Sequence, residues 1–195
     1  MKRIGITGGI GSGKSTVCNL LAQYGVAIYD SDTRAKALMS SKLRPEIEQL
    51  FGTEAYFDGV LNRQHIASVV FTDPARLSLL NNIVHPAVAA DFELWCDEQT
   101  ATIVALESAI LFESGFDKKV DTTVFIDAPN EMRIARAMAR DGKSREEIEA
   151  RIANQNSNKA HNSSDYIIIN DTMEHLQRQI EQLYTELTHN ETLAR

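Results

Sequence analysis

The sequence predicts an α/β fold of three layers, with helices on both faces of a five-stranded parallel sheet, and three observations carry that prediction. Short apolar runs alternate with helical segments along the chain. The runs IVAL, TVFI and YIII are apolar without interruption, as strands buried on both faces are. The first run ends in a glycine-rich loop that opens a helix. Strands joined through helices in this way lie parallel, with right-handed crossovers. At 195 residues and 43% hydrophobic, the chain can bury a sizeable core without staples.

The predicted strands are Arg3–Thr7, Val26–Tyr29, Thr102–Leu106, Thr122–Ile126 and Tyr166–Ile169. The first runs into GGIGSGKS at Gly8–Ser15, which fits the phosphate-binding pattern GxxxxGKS and specifies a P-loop NTPase fold. A strand that breaks into such a loop and then a helix leaves unpaired backbone N–H groups at one point, where the helix dipole adds partial positive charge. Gly11, Ser12, Gly13 and Thr16 build that cradle; Lys14 brings an ammonium to the β- and γ-phosphates of a nucleoside triphosphate, and the Ser15 hydroxyl is a hard oxygen ligand for Mg²⁺. A dinucleotide-binding turn is the competing pattern, since Asp30 and Asp32 follow at about the right distance for a ribose. In either register of GxGxxG, however, Lys14 or Thr16 stands where the third glycine should pack helix on sheet.

The connection from the second strand to the third, Ser31 to Thr100, far exceeds what one crossover helix needs, so it is a helical subdomain able to wall an acceptor site. Its predicted helices are Asp32–Met39, Pro45–Phe51, Arg63–Phe71, Pro74–Leu80 and Pro86 to about Glu98, with the three prolines in first-turn positions. The chain is thus expected to be one domain with a core at 1–30 and 101–195, a subdomain at about 31–100 and a candidate lid at about 136–150. Near the C-terminus, Leu176, Ile180, Leu183 and Leu187 form the apolar stripe of a helix packed across the sheet.

Several side chains have the type and position to carry chemistry. Asp30 and Asp32 follow the second strand, where either could act as general base towards an acceptor hydroxyl or cap the next helix. Arg133, Arg136 and Arg140 share one face of a helix starting at Pro129, and SREE at Ser144–Glu147 is a capping box opening the next. Two helices joined by a basic turn can form a lid that excludes water; a solvated arginine face is the alternative. His85, before Pro86, is expected in extended conformation at a helix entrance, as a substrate contact or a cap. Glu107 and Asp127 end strands and can serve either Mg²⁺ through water or a loop; Glu113 has no role that its pattern assigns.

Composition narrows the function classes. A net charge of −7 argues against general affinity for nucleic acid or anionic membrane. The two cysteines, Cys18 and Cys96, form no CxxC pair, and a reducing compartment is expected. The start MKRIGITGG does not read as a signal peptide, and no run of about 18 apolar residues exists, so a cytoplasmic protein, a monomer or small homo-oligomer, is expected. A guanine-specific switch would carry NKxD, whereas Asn158-Lys159 is followed by Ala160-His161.

With TGGIGSGKST at Thr7–Thr16, YDSD at Tyr29–Asp32, DGVLNR at Asp58–Arg63, IVHP at Ile83–Pro86, ILFESG at Ile110–Gly115, ARDGKSREE at Ala139–Glu147 and DYIIIN at Asp165–Asn170, the chain resembles the dephospho-CoA kinases almost end to end. The resemblance implies transfer of the ATP γ-phosphate to the ribose 3′-hydroxyl of dephospho-CoA, the last step of coenzyme A synthesis. It implies that Asp32 is the general base, His85 an acceptor-binding histidine, Arg140 the lid arginine, and Asn170 a neighbour of the adenine. Another small-molecule kinase with the same core and a different acceptor pocket is the alternative. The chain departs from the family's usual pattern at Ser108-Ala109-Ile110-Leu111, where a proline and two leucines commonly stand before FE, and near Lys159–His161, where an arginine often stands.

Overall fold

The computed structural model describes residues 1–155 and 157–189. In chain order the elements are β1 (Lys2–Gly8), α1 (Lys14–Gln23), β2 (Ala27–Asp30), α2 (Ser31–Ser40), α3 (Arg44–Phe51), β3 (Tyr56–Phe57), β4 (Val60–Leu61), α4 (Arg63–Thr72), α5 (Pro74–Asp97), β5 (Ile103–Glu107), β6 (Thr122–Asp127), α6 (Asn130–Asp141), α7 (Arg145–Ala153), α8 (Ser157–Ser163), β7 (Tyr166–Ile169) and α9 (Met173–His189). They form two compact units, one from Met1–Tyr29 and the chain from Gln99 onward, the other from Asp30–Glu98.

The first unit holds a parallel sheet in the order β2-β5-β1-β6-β7. The P-loop strand β1 lies at its centre, with Ile4 opposite Ala105 on one side and Ile6 opposite Val124 on the other. Central parallel strands are covered on both faces, which is why these runs contain so few polar residues. Ile4, Ile6, Val124 and Ile126 are fully buried and join Val17 and Leu21 of α1 in one core. The stripe expected near the C-terminus closes the same core: Leu176, Ile180, Leu183 and Leu187 of α9 are each no more than 2% exposed. Thr123 of β6 donates from both its backbone N–H and its hydroxyl to Asp165, fixing the register of the edge strand β7. All five expected strands form, within about a residue at each end.

The second unit gathers around α5. Val84, Val88, Phe92 and Cys96, four residues apart, make a buried stripe along it. This helix corrects the sequence reading: Pro74–Leu80 and Pro86–Glu98 are not two helices but one of 24 residues, with Pro86 inside. His85 therefore sits mid-helix rather than extended at a helix entrance. A proline there removes one backbone hydrogen bond at a cost of about 3 kcal/mol. The buried stripe on both sides of it, each large side chain worth roughly 1.5–3 kcal/mol, outweighs that cost and carries the helix through. The guanidinium of Arg34 in α2 grips the carboxylate of Asp91 in α5 in a two-pronged bond, 2.7 and 2.6 Å. The hairpin β3–β4 was not anticipated; its turn is Asp58-Gly59, both with positive φ, as a type I′ turn requires.

Candidate active site

β1 ends at Gly8, and the following loop folds back on itself, with the Ser12 N–H donating to the Gly9 carbonyl (3.1 Å). Gly13 then caps α1 in the left-handed conformation (φ 90°), and its carbonyl accepts from the N–H groups of Thr16 and Val17. A Cβ on Gly13 would strike the Asn170 amide, and one on Gly11 (φ 72°) would strike the Arg133 carbonyl. Both positions therefore need glycine for backbone conformation and for space. α1 opens at Lys14, its dipole puts partial positive charge at that end, and its first turn contains no acidic residue to neutralise it. Such a helix start suits an anion.

That site is a cleft of about 340 Å³. Its floor is the loop, Gly9, Gly11 and Gly13, followed by Lys14, Ser15 and Thr16; Glu107, Arg136 and Arg140 line the rest. The Lys14 ammonium donates to the Gly8 carbonyl at 3.0 Å, which curls the side chain over the loop. Arg140 is mostly exposed and donates through Nε and Nη2 to Asp141, at 2.7 and 3.1 Å. Asp141 also accepts from Arg151 of α7 at 2.6 Å. Hydrogen bonds from Arg140 and then Arg151 hold the Asp141 carboxyl at about pKa 2. The capping box is present, Ser144 and Glu147 each bonding the other's backbone, and Arg145 ties the start of α7 to Glu131 in α6. Ile134, Ala137 and Ile148 bury a small core between these two helices, against which Ile10 of the loop packs.

Six of the expected nucleotide residues, Gly11, Gly13, Lys14, Ser15, Thr16 and Arg140, thus line one cleft. Ser12 and Asn170 stand beneath it. Ser12 is 1% exposed, and its carbonyl accepts from the side-chain amide of Asn170, itself 5% exposed, over 2.8 Å. Asn170 braces the loop and accepts weak bonds from Arg136, 3.3 and 3.4 Å, that steady this arginine towards the cleft. Of the two strand-end acids, Glu107 reaches the cleft, whereas Asp127 accepts its neighbour Ala128's N–H and shapes a loop. Ser108 is 2% exposed and turns the chain after β5 by accepting from the Ile110 N–H.

Asp32 and His85 belong to the second unit. There the choice between Asp30 and Asp32 as helix cap is resolved: Asp30 accepts from the Thr33 N–H (3.0 Å) and hydroxyl (2.6 Å). Asp32 is exposed in the first turn of α2. His85 is half-buried, and burial lowers its pKa below the usual imidazole value, so the ring is neutral at neutral pH. Two loop contacts were missed from sequence. Gln155, just after α7, accepts the Ile10 N–H at 2.8 Å, and Arg133 donates to the Ile10 carbonyl at 3.0 Å. Contacts across 145 and 123 residues leave no local pattern to read.

A family model described as dephospho-CoA kinase matches residues 2–175. The chain belongs to the dephospho-CoA kinase family. It is 45% identical to the dephospho-CoA kinase of Porphyromonas gingivalis over 157 residues, covering 80% of this chain and 78% of that one. It is 40% identical to the dephospho-CoA kinase of Chlorobium chlorochromatii, covering 98% and 96%. The crystal structure of TT1252 from Thermus thermophilus superposes with a TM-score of 0.85 at 38% identity, covering 95% and 97%. A dephospho-CoA kinase from Campylobacter jejuni (TM-score 0.69, 22% identity, covering 98% and 100%) shares the fold. So does a shikimate kinase from Acinetobacter baumannii in complex with shikimate (0.57, 15%, covering 97% and 94%). The family's core is thus the P-loop kinase fold expected from the first strand and its loop.

Proposed function

We propose that this member of the dephospho-CoA kinase family transfers the γ-phosphate of ATP to the ribose 3′-hydroxyl of dephospho-CoA, with Asp32 as base. The observation that carries the nucleotide half is the cleft at the start of α1, where the helix N-terminus, Lys14 and two arginines converge. Family membership across residues 2–175 carries the acceptor half.

Lys14 and the loop amides bind the β- and γ-phosphates and fix the donor in line. Ser15 and Glu107 offer hard oxygens in the same cleft, and among the described residues no cluster of three metal-binding side chains exists. That donor set fits Mg²⁺, which takes one or two protein oxygens and completes its shell with phosphates and water. When bound there, Mg²⁺ neutralises charge on the phosphate oxygens. Asp32 accepts the proton of the acceptor hydroxyl, the freed oxygen bonds to the γ-phosphorus, and the bond to ADP breaks. Arg140 stabilises charge on the transferring group, and neutral His85 hydrogen-bonds the acceptor. Helices α6 and α7 form a lid that keeps water from the donor. A cytoplasmic location belongs to the same reading.

The test is ADP release from Mg²⁺·ATP with and without dephospho-CoA, and with adenosine, AMP or shikimate in its place. Stimulation by dephospho-CoA alone is expected. Stimulation by another acceptor would preserve a kinase and discard the acceptor assignment; turnover independent of any acceptor would discard both.

A further inference from the structure

Among the described residues, two buried side-chain polar atoms have no hydrogen-bond partner, Ser12 Oγ and Arg133 Nη2, and both belong to the phosphate loop or its immediate support. Unpaired buried polar atoms are rare enough in folded proteins that two at one site call for a physical reason. Arg133 is the more unusual. It is 9% exposed, on the inward face of α6 beside Ile134 and Ala137. Its Nε donates to the Ile10 carbonyl at 3.0 Å. Its Nη2 lies where a Cβ on Gly9 would fall, so the guanidinium is pressed against the arm of the loop that floors the cleft. No carboxylate among the described residues pairs with it, whereas Arg140, Arg145 and Arg151 on the same two helices each hold one.

A buried cation without a counter-ion is unfavourable unless something else supplies the negative charge. Here the neighbouring cleft is built for a polyanion. We infer that Arg133 is a positioning residue of the phosphate site: it fixes the Gly9–Gly11 arm through the Ile10 carbonyl, and its unneutralised charge is reserved for the nucleotide's phosphates. Arg133 then differs in kind from Arg136 and Arg140, which line the cleft and reach the ligand from the front. The charge acts through the loop, at short range and away from solvent, where screening is weak. The same arrangement fits the glycines of this arm: a Cβ on Gly11 would meet the Arg133 backbone, and one on Gly9 would displace the guanidinium.

This inference rests on the cleft being a phosphate site, and its test reads binding rather than turnover. Dissociation constants for ATP and for inorganic tripolyphosphate are measured by calorimetry at two salt concentrations on the full chain, for wild type, Arg133→Gln and Arg133→Lys. Glutamine can still donate to Ile10 but carries no charge; lysine keeps the charge. The expected result is a loss of about tenfold for both ligands in Arg133→Gln, with a shallower salt dependence, and a loss within about threefold in Arg133→Lys. Wild-type binding by Arg133→Gln would overturn the inference, as would equal weakening of both variants with unchanged salt dependence, the signature of packing alone. If Arg133→Gln does not fold, Arg133→Lys decides: binding within about threefold supports the inference, and a loss beyond about tenfold overturns it. Failure of the wild type to phosphorylate dephospho-CoA would sink the kinase reading and leave this comparison intact.

Discussion

The side-chain amide of Asn170, at the end of β7, donates to the carbonyl of Ser12 over 2.8 Å, so the last strand of the sheet holds up the middle of the phosphate loop. The backbone N–H of the same residue donates to Asp127 at the end of β6 (2.7 Å). Strand ends and loop are therefore locked together, and the shape of the anion site follows from where β7 stops.

Replacing Asn170 by Asp should turn a donor into a carboxylate facing the Ser12 carbonyl. We expect a loss of about 1–3 kcal/mol in unfolding free energy by urea denaturation. Weaker binding of both ATP and inorganic tripolyphosphate should accompany it. If ATP weakened while tripolyphosphate did not, Asn170 would act on the adenine rather than on the loop.

Gly13→Ala should be more damaging to binding than its small volume suggests. The position has φ 90°, and the added methyl would meet the Asn170 amide. Forcing a side chain into such a conformation costs of order 1–3 kcal/mol, and the clash adds to it. Calorimetric titration with ATP should show at least a tenfold loss; wild-type affinity would mean that the loop can relax in a way its contacts do not suggest.

The Asp141 clamp predicts a specific acid response. Its folded pKa, about 2, lies below the ordinary carboxylate value of 3.8, so the folded state favours the ionised form. The contribution is fully present above about pH 4 and disappears as pH falls through about 2. Asp141 is one-fifth exposed and its partners are more open, so screening reduces the effect to about 1 kcal/mol. Asp141→Asn should therefore unfold more easily than wild type at pH 7, and the two should converge near pH 2. A constant difference across that range would dissociate the clamp from the carboxylate's charge.

Pro86→Ala should stabilise the second unit. Alanine restores an N–H within a continuous helix, removing a penalty of about 3 kcal/mol in the limit of a straight helix and less where the chain has adapted. A rise of about 1 kcal/mol or more in unfolding free energy is expected. Destabilisation would show that the proline's local geometry is needed to seat Val84 and Val88.

Pro86 also marks where sequence reasoning reached its limit. The strands were legible because a buried parallel strand must be apolar throughout, and the loop because its glycines and Lys14-Ser15 sit at fixed offsets. The interruption at Pro86 was read as a helix boundary from local sterics, while the buried stripe from Val84 to Cys96 that overrides it is a tertiary fact. The Asp58-Gly59 hairpin did have a local signal, since that dipeptide favours the positive φ of a tight turn, but two-residue strands give no periodicity to support it. Arg133 shared a helical face with Arg136 and Arg140, and spacing alone could not tell that it would be buried behind the loop while they line the cleft.

The decisive measurement is the rate at which Mg²⁺·ATP phosphorylates dephospho-CoA, followed by mass spectrometry of the acceptor for wild type beside Asp32→Asn. Wild type should add one phosphoryl group, and loss of the base should slow this by about 10²–10⁴-fold with ATP binding unchanged. An unmodified acceptor with the wild type, or an undiminished rate in Asp32→Asn, would contradict the proposed function.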